Sequence, residues 1–109
     1  MRIIVCGAGS VGHSVVSYLI KGNNDIVVID HNQCRLDEIS KEYDVLPIFG
    51  ESSHPDVLER AGAADADMIL ALTDIDEVNM MVCQIAYTLF SIPRKIARID
   101  SEAFLDPLW

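Results

Sequence analysis

The run Gly7-Ala8-Gly9-Ser10-Val11-Gly12 near the start of the chain has GxGxxG spacing. That pattern can do one piece of chemistry well, which is to cradle a pyrophosphate. Gly7 permits a tight strand-to-helix turn, Gly9 lets phosphate approach the backbone, and Gly12 lets the helix pack close. The first N–H groups of the helix have no partner within it and face the anion. The spacing alone is a weak signal; its position after an apolar run and before a helical pattern gives it weight. Asp30 stands 18 residues after Gly12, at the end of the next apolar run. An acid there accepts hydrogen bonds from adenosine ribose hydroxyls and repels a 2′-phosphate, so NAD is expected over NADP. The competing reading of Asp30 is a helix cap or a solvated turn acid.

Other residues fall where the same ligand would extend. Arg35 comes about one helical turn after Asp30 and has the reach to pair with a phosphate. It and His31 read equally well as solvated surface. Gly50-Glu51-Ser52-Ser53 comes after the third apolar run, where a glycine frees the backbone and its successors border an adenine; the alternative is a simple turn with a helix cap. Thr73-Asp74 comes after the fourth run, at the crevice where open α/β sheets bind ligands. These two can face the second ribose or the nicotinamide, whereas Asp74 and Glu77 also make a capping-box-like helix start. Arg98 is a charge near the end of a fifth apolar run, expected to meet a ligand phosphate or Asp74, the alternative being a plain structural ion pair.

These positions require an alternation of strands and helices. Strands are expected at Ile3 to Cys6, Ile26 to Ile29, Val45 to Phe49, Met68 to Leu72 and Lys95 to Ile99. Short continuous apolar runs of this kind are what strands covered on both faces show. Helical spacing covers Val11 to Ile20, Gln33 to Tyr43 (Leu36, Ile39 and Tyr43 as its stripe), a short segment from Ser53 or His54 to Ala61, and Asp76 to Phe90. Pro55 suits a first turn, and Ser101-Glu102 opens a last helix. The pattern predicts an α/β domain with a Rossmann-like parallel sheet of order 3-2-1-4-5 and helices on both faces. Residues 1–109 make one domain, and an end at Leu108-Trp109 reads as a fragment of a longer protein.

Composition narrows the function. Seventeen acids stand against eight bases, a net charge of −9. Only Arg94, Lys95 and Arg98 cluster, too few to replace the counterions of a nucleic acid. Backbone amides hold phosphates without side-chain charge, so a nucleotide remains open. Cys6, Cys34 and Cys83 are widely spaced without a CxxC, which fits reduced thiols and a cytoplasmic protein better than a disulfide framework. No metal-ligand spacing is present. His13 and His54 stand in no constellation for catalysis, so no catalytic residue is assigned. Three functions compete: a ligand-binding regulatory module, the cofactor half of an NAD-dependent dehydrogenase, and a structural module with a vestigial cleft.

A longer set of residues carries a resemblance. It comprises the GxGxxG run, Asp30, Gly50 through Leu58, Ala61-Gly62, Asp65-Ala66-Asp67, Thr73-Asp74-Ile75-Asp76-Glu77-Val78-Asn79-Met80 and Ile96-Ala97-Arg98-Ile99. In that order they resemble the N-terminal nucleotide-binding domains of the RCK (KTN) family, of the kind in TrkA-type regulators of bacterial potassium uptake. The Thr-Asp-x-Asp-Glu-x-Asn-Met segment is the most specific part. The resemblance implies regulation rather than turnover: dimers or rings on the cytoplasmic face of a membrane potassium-conducting subunit, gated by NAD or NADH, or by ATP and ADP in some relatives. ATP-responsive relatives often carry an arginine at the position of Ser10, so the serine favours a dinucleotide. Glu51 stands where the family commonly has Asp.

The helix from Asp76 carries two apolar stripes. Val78, Val82, Ile85 and Leu89 are expected to cover the sheet. Met80, Cys83, Tyr87 and Phe90 form the second, expected at or beside a homodimer interface, since a surface helix needs one apolar face. The alternative is that Ala103 to Trp109 folds back over the second stripe.

Overall fold

The structure, a computed structural model, describes residues 1–106. In chain order its elements are β1 (Arg2–Cys6), α1 (Ser10–Leu19), β2 (Asp25–Asp30), α2 (Gln33–Glu42), β3 (Leu46–Phe49), α3 (Pro55–Arg60), a 3-10 turn at Ala63–Asp65, β4 (Met68–Ala71), α4 (Asp76–Thr88), β5 (Arg94–Ala97) and α5 (Glu102–Leu105). All strand pairings are parallel, and the sheet order is β3-β2-β1-β4-β5, in agreement with the strand-helix alternation. Ile4 in the central strand lies between Val27 of β2 and Ile69 of β4.

Alternate side chains of each strand point to opposite faces, and this splits the core in two. Ile4, Cys6, Ile29, Ile69 and Ala71 meet Val57 and Leu58 of α3 and Val82 and Ala86 of α4. Ile3, Val5, Val28 and Leu70 meet Val16 of α1 and Leu36 and Ile39 of α2. Because β1 is buried on both faces from Ile3 onward, its sequence is a continuous apolar run.

Several boundaries shift for physical reasons. The fifth strand is Arg94–Ala97 rather than Lys95 to Ile99, an edge strand whose Ile96 is exposed. The Asp74-x-x-Glu77 capping box does not form: Ile75 is the N-cap of α4 and the helix has no side-chain cap bond. The two-stripe reading of α4 is also corrected. Asn79, Val82 and Ala86 face inward, with Val78, Cys83, Ile85 and Phe90 packed beside them. Leu89, expected against the sheet, is 60% exposed because the helix ends at Thr88 and Leu89 is its C-cap. Beyond it, Ser91 takes a left-handed φ of 51° and Ile92 N–H returns to the Ala86 carbonyl, which turns Phe90 inward. Met80 and Tyr87 of the second stripe stay exposed, joined by Met81. Phe104 and Leu105 are themselves exposed; the rest of the expected covering segment, 107–109, lies outside the described residues.

Candidate nucleotide-binding cleft

The β1–α1 turn is stitched to both neighbouring strands. Gly7 N–H donates to the Ile29 carbonyl at 2.8 Å, and Leu72 N–H donates to the Cys6 carbonyl at 2.8 Å. Gly7 has φ +109°, and a Cβ there would lie 2.9 Å from the Leu72 carbonyl oxygen. A Cβ on Gly12 would lie 1.8 Å from the Gly7 oxygen, so α1 seats on the turn only because both residues are glycine. Gly9 differs. The nearest atom to a Cβ there is Nη1 of Arg35 at 3.7 Å, so none of the described residues requires this glycine. Gly9 is the N-cap of α1, whose start has no side-chain cap bond and no acid in its first turn. Its first N–H groups and the positive end of its dipole are left for an anion.

Asp30 closes the next side. It is 6% exposed; Oδ2 accepts from Ala8 N–H and Oδ1 from Asn32 N–H, each at 2.7 Å. His31 Nδ1 lies 3.8 Å from Oδ1. Asp30 is thus neither a helix cap nor a solvated turn acid: Asn32 is the N-cap of α2, accepting from Arg35 N–H, and the carboxylate is buried. An ionised carboxylate has about four lone-pair sites, of which these two bonds use two. The backbone already holds the carboxylate in place, which would lower the ordering cost of any ligand bound there.

Gly50 N–H donates to the Asp30 carbonyl at 3.0 Å, and a Cβ on Gly50 would lie 2.9 Å from Val57. His54, not a residue of the Gly50–Ser53 turn, is the N-cap of α3. Ser52 is buried; burial pushes the Cys6 thiol up to about 12, and the Ser52 hydroxyl only partly offsets this. Cys6, fully buried in the core, is therefore an inert thiol rather than a nucleophile.

Across the cleft, Thr73 is fixed by Asn79, whose Oδ1 accepts from the Thr73 N–H at 3.0 Å and from its hydroxyl at 2.7 Å. Arg98 lies just beyond β5, its N–H donating to the Ala71 carbonyl. Its guanidinium pairs with Asp100 at 2.8 Å, which makes its structural partner Asp100 rather than Asp74. The hydrogen bond to Asp100 raises the Arg98 pKa, partial burial opposes the shift, and Asp74 and Asp76 add to it.

One cleft at the C-terminal ends of the strands gathers most of the expected residues. Gly7, Gly9, Ser10 and Val11 come from the first turn, Asp30, His31 and Arg35 from the second, and Gly50, Glu51 and Ser52 from the third. Thr73, Asp74 and Arg98 form the far side. Ala8, Gly12 and Glu77 do not line it. Ala8 is buried with its N–H on Asp30, Gly12 sits beneath the turn, and Glu77 is exposed on α4. Sequence reasoning missed the apolar walls, Ile29, Leu72, Ile75 and Val78. It also missed Asp76 and Asn79, polar residues that are buried. Their signal was two polar side chains three apart, at the head of the spacing that continues with the apolar Val82 and Ala86.

The TrkA-N domain family matches residues 3–108. The chain belongs to that family. This TrkA-N domain is 50% identical over 105 residues to the Trk system potassium uptake protein TrkA of Vibrio alginolyticus, covering 96% of the chain and 23% of the relative. Among solved structures it is similar to the Shewanella denitrificans Kef CTD in AMP-bound form (TM-score 0.76, 23% identity, 88% of this chain and 57% of that one). It is also similar to the GsuK channel bound to NAD (TM-score 0.73, 21% identity, 85% and 17%). At these identities the two structures show the fold alone.

Proposed function

We propose that this TrkA-N domain is the nucleotide-sensing part of a potassium uptake regulator, binding NAD or NADH to control a membrane potassium-conducting subunit. One observation carries the reading: an uncapped, acid-free helix end and a fixed, buried Asp30 face the same cleft. The N–H groups of the first turn of α1 would hold the pyrophosphate, and Asp30 a ribose. Gly50, Glu51 and Ser52 would border the adenine, Arg35 the phosphates, and Thr73, Asp74 and Arg98 the far half. Ser10 lacks the reach of an arginine toward a terminal phosphate, so ATP and ADP rank below the dinucleotide. The Vibrio relative's name, the NAD on GsuK and the AMP on Kef CTD support this reading.

The role is binding without turnover. A hydride-transfer enzyme needs a substrate pocket and usually a general acid or base against the nicotinamide, and the histidine of this cleft, His31, stands beside Asp30, at the proposed adenosine side. Among the described residues no helix is long and apolar enough to cross a membrane. The regulator is proposed to sit at the cytoplasmic face through its transporter subunit. The chain spans 23% of the Vibrio relative, and residues 1–109 are proposed as one domain of a longer regulator. Exposed Met80, Met81 and Tyr87 on α4 are proposed to lie at or beside a homo-oligomer interface.

Calorimetric titration with NAD, NADH, NADP, ATP and ADP tests the ligand. NAD or NADH should bind at least about tenfold more tightly than NADP, a difference of about 1.4 kcal/mol. Equal affinities for NAD and NADP would remove Asp30 from its role.

A further inference from the structure

Two buried side chains in the first turn of α4 stand outside the proposed ligand contacts: Asp76 at 8% and Asn79 at 0% exposure. Asn79 uses its whole amide. Besides accepting twice from Thr73, it donates through Nδ2 to the Thr73 carbonyl and to the Arg98 carbonyl, each at 2.9 Å. One side chain thus fixes the exits of β4 and β5 relative to each other, and Thr73 and Arg98 both line the cleft. Asp76 works on the next stretch of chain: its two oxygens accept from Asp100 N–H at 2.9 Å and Ser101 N–H at 2.8 Å.

Those two bonds sit at the entrance to α5. Helix α5 buries none of its residues, and Ser101, its N-cap, makes no side-chain cap bond. The two bonds from Asp76 therefore hold the backbone at the point where α5 begins. A third link joins ligand side and helix start directly. The Arg98 guanidinium grips both oxygens of Asp100, Nη2 at 2.8 Å and Nε at 3.2 Å. Phosphate is bound by the same planar fork as carboxylate, so a nucleotide phosphate in the cleft competes with Asp100 for Arg98.

We infer that the first turn of α4 is a relay in which Asn79 and Asp76 tie the ligand-facing ends of β4 and β5 to the start of α5. A nucleotide phosphate that draws Arg98 from Asp100 then redirects α5. This relay rests on the proposed nucleotide binding. Asn79 acts through Thr73 and Arg98, and Asp76 through Asp100 and Ser101, so both are positioning residues. If they were only buried caps, their loss would lower stability and leave the response of α5 to ligand unchanged.

The experiment is amide NMR of the 15N-labelled 109-residue chain titrated with NAD, beside calorimetry of the same samples. In the parent, the amides of Asp100, Ser101 and Phe104 should shift with the affinity that calorimetry gives. Asp76→Asn should keep NAD affinity within about threefold, under 1 kcal/mol, yet lose the shift at Phe104. Asp100→Asn retains the backbone N–H that Asp76 holds and replaces the charged, two-oxygen competitor for Arg98 with a single neutral acceptor. Without ligand, its Ser101 and Phe104 amides should already lie near the positions the parent reaches with NAD. If Asp76→Asn does not fold, judged by its β1 and β2 amides, Asp100→Asn decides alone. Heat of binding without any shift at residues 100–105 overturns the relay and leaves the nucleotide reading standing. The same holds if Asp100→Asn amides stay at the parent's ligand-free positions. No heat with NAD overturns both.

Discussion

Helices α1 and α4 leave adjacent strands and open onto the same cleft, but their first turns are finished in opposite ways. Neither N-cap, Gly9 or Ile75, supplies a side-chain bond. The first turn of α1 has no acid, whereas that of α4 has Asp76 and Glu77, with Asp74 just ahead. The dipole of α4 is met by its own carboxylates; that of α1 is not. The phosphate side of the cleft is therefore built from backbone and depends on absent side chains, at Gly7, Gly9 and Gly12. The opposite side is built from buried polar side chains, Asn79 and Asp76, each bonded to backbone from another part of the chain. A glycine-built wall admits a ligand; a side-chain-built wall holds its shape around one.

The comparison breaks most sharply at the glycines. A Cβ on Gly12 meets the Gly7 carbonyl oxygen at 1.8 Å, and since a Cβ is fixed by its own backbone and the oxygen by that of Gly7, no rotamer relieves it. Gly12→Val should cost about 3 kcal/mol or more, or abolish folding, read by urea or thermal unfolding. Gly9 has φ −76°, which any residue adopts, and open space beside it. Gly9→Val should unfold within about 1 kcal/mol of the parent and lose NAD binding. A folded Gly9→Val chain that binds NAD like the parent would take the phosphate cradle out of the site.

On the other side the next largest effect belongs to Asn79. Asn79→Ala leaves the Thr73 N–H, the Thr73 carbonyl and the Arg98 carbonyl without this partner. Unsatisfied buried groups cost about 1–3 kcal/mol each; with some rehydration, a total loss of about 2–3 kcal/mol is expected in urea unfolding. NAD affinity should fall with it, because Thr73 and Arg98 lose their spacing. A loss below about 0.5 kcal/mol, the range of ordinary surface substitutions, would mean that the β4 side is not held by this residue.

The two sides also differ in how legible they are in the sequence. Strand order, the turn glycines and the place of Asp30 come from local pattern, because strand-helix alternation and GxGxxG spacing are properties of neighbouring residues. The bonds of Asp30 to Ala8 and Asn32 N–H are not legible, since they depend on how the β1–α1 turn folds over the end of β2. Asp76 and Asn79 belong to the segment that carries the family resemblance, yet nothing in the sequence gives them a role. Their partners beyond the start of α4 lie 19 to 25 residues away, past the end of β5, and only the tertiary fold brings them there. A helical projection misassigns the stripes of α4 because it assumes that the helix continues. The turn at Ser91 breaks the phase, sending Leu89 outward and Phe90 inward.

The smallest expected effect sharpens the comparison by exchanging the two helix ends. Ser10 is exposed and begins α1, so Ser10→Glu places on α1 the kind of acid that α4 already has, without disturbing packing. In the ligand-free chain the new carboxylate meets an uncompensated dipole and should stabilise the fold by about 0.3–1 kcal/mol. The same charge then occupies the ground of the pyrophosphate. NAD should bind at least about tenfold more weakly, and the deficit should shrink as salt rises. Glu77→Gln is the converse change. It removes one of the two acids from the first turn of α4, should destabilise by about 0.3–1 kcal/mol, and should leave NAD affinity alone because Glu77 does not line the cleft. Thermal unfolding and calorimetry at low and high salt read both variants. Unchanged NAD affinity for Ser10→Glu at low salt would mean that the phosphates do not sit at α1. Weakened binding by Glu77→Gln would mean that the acids of α4 contribute to the site after all.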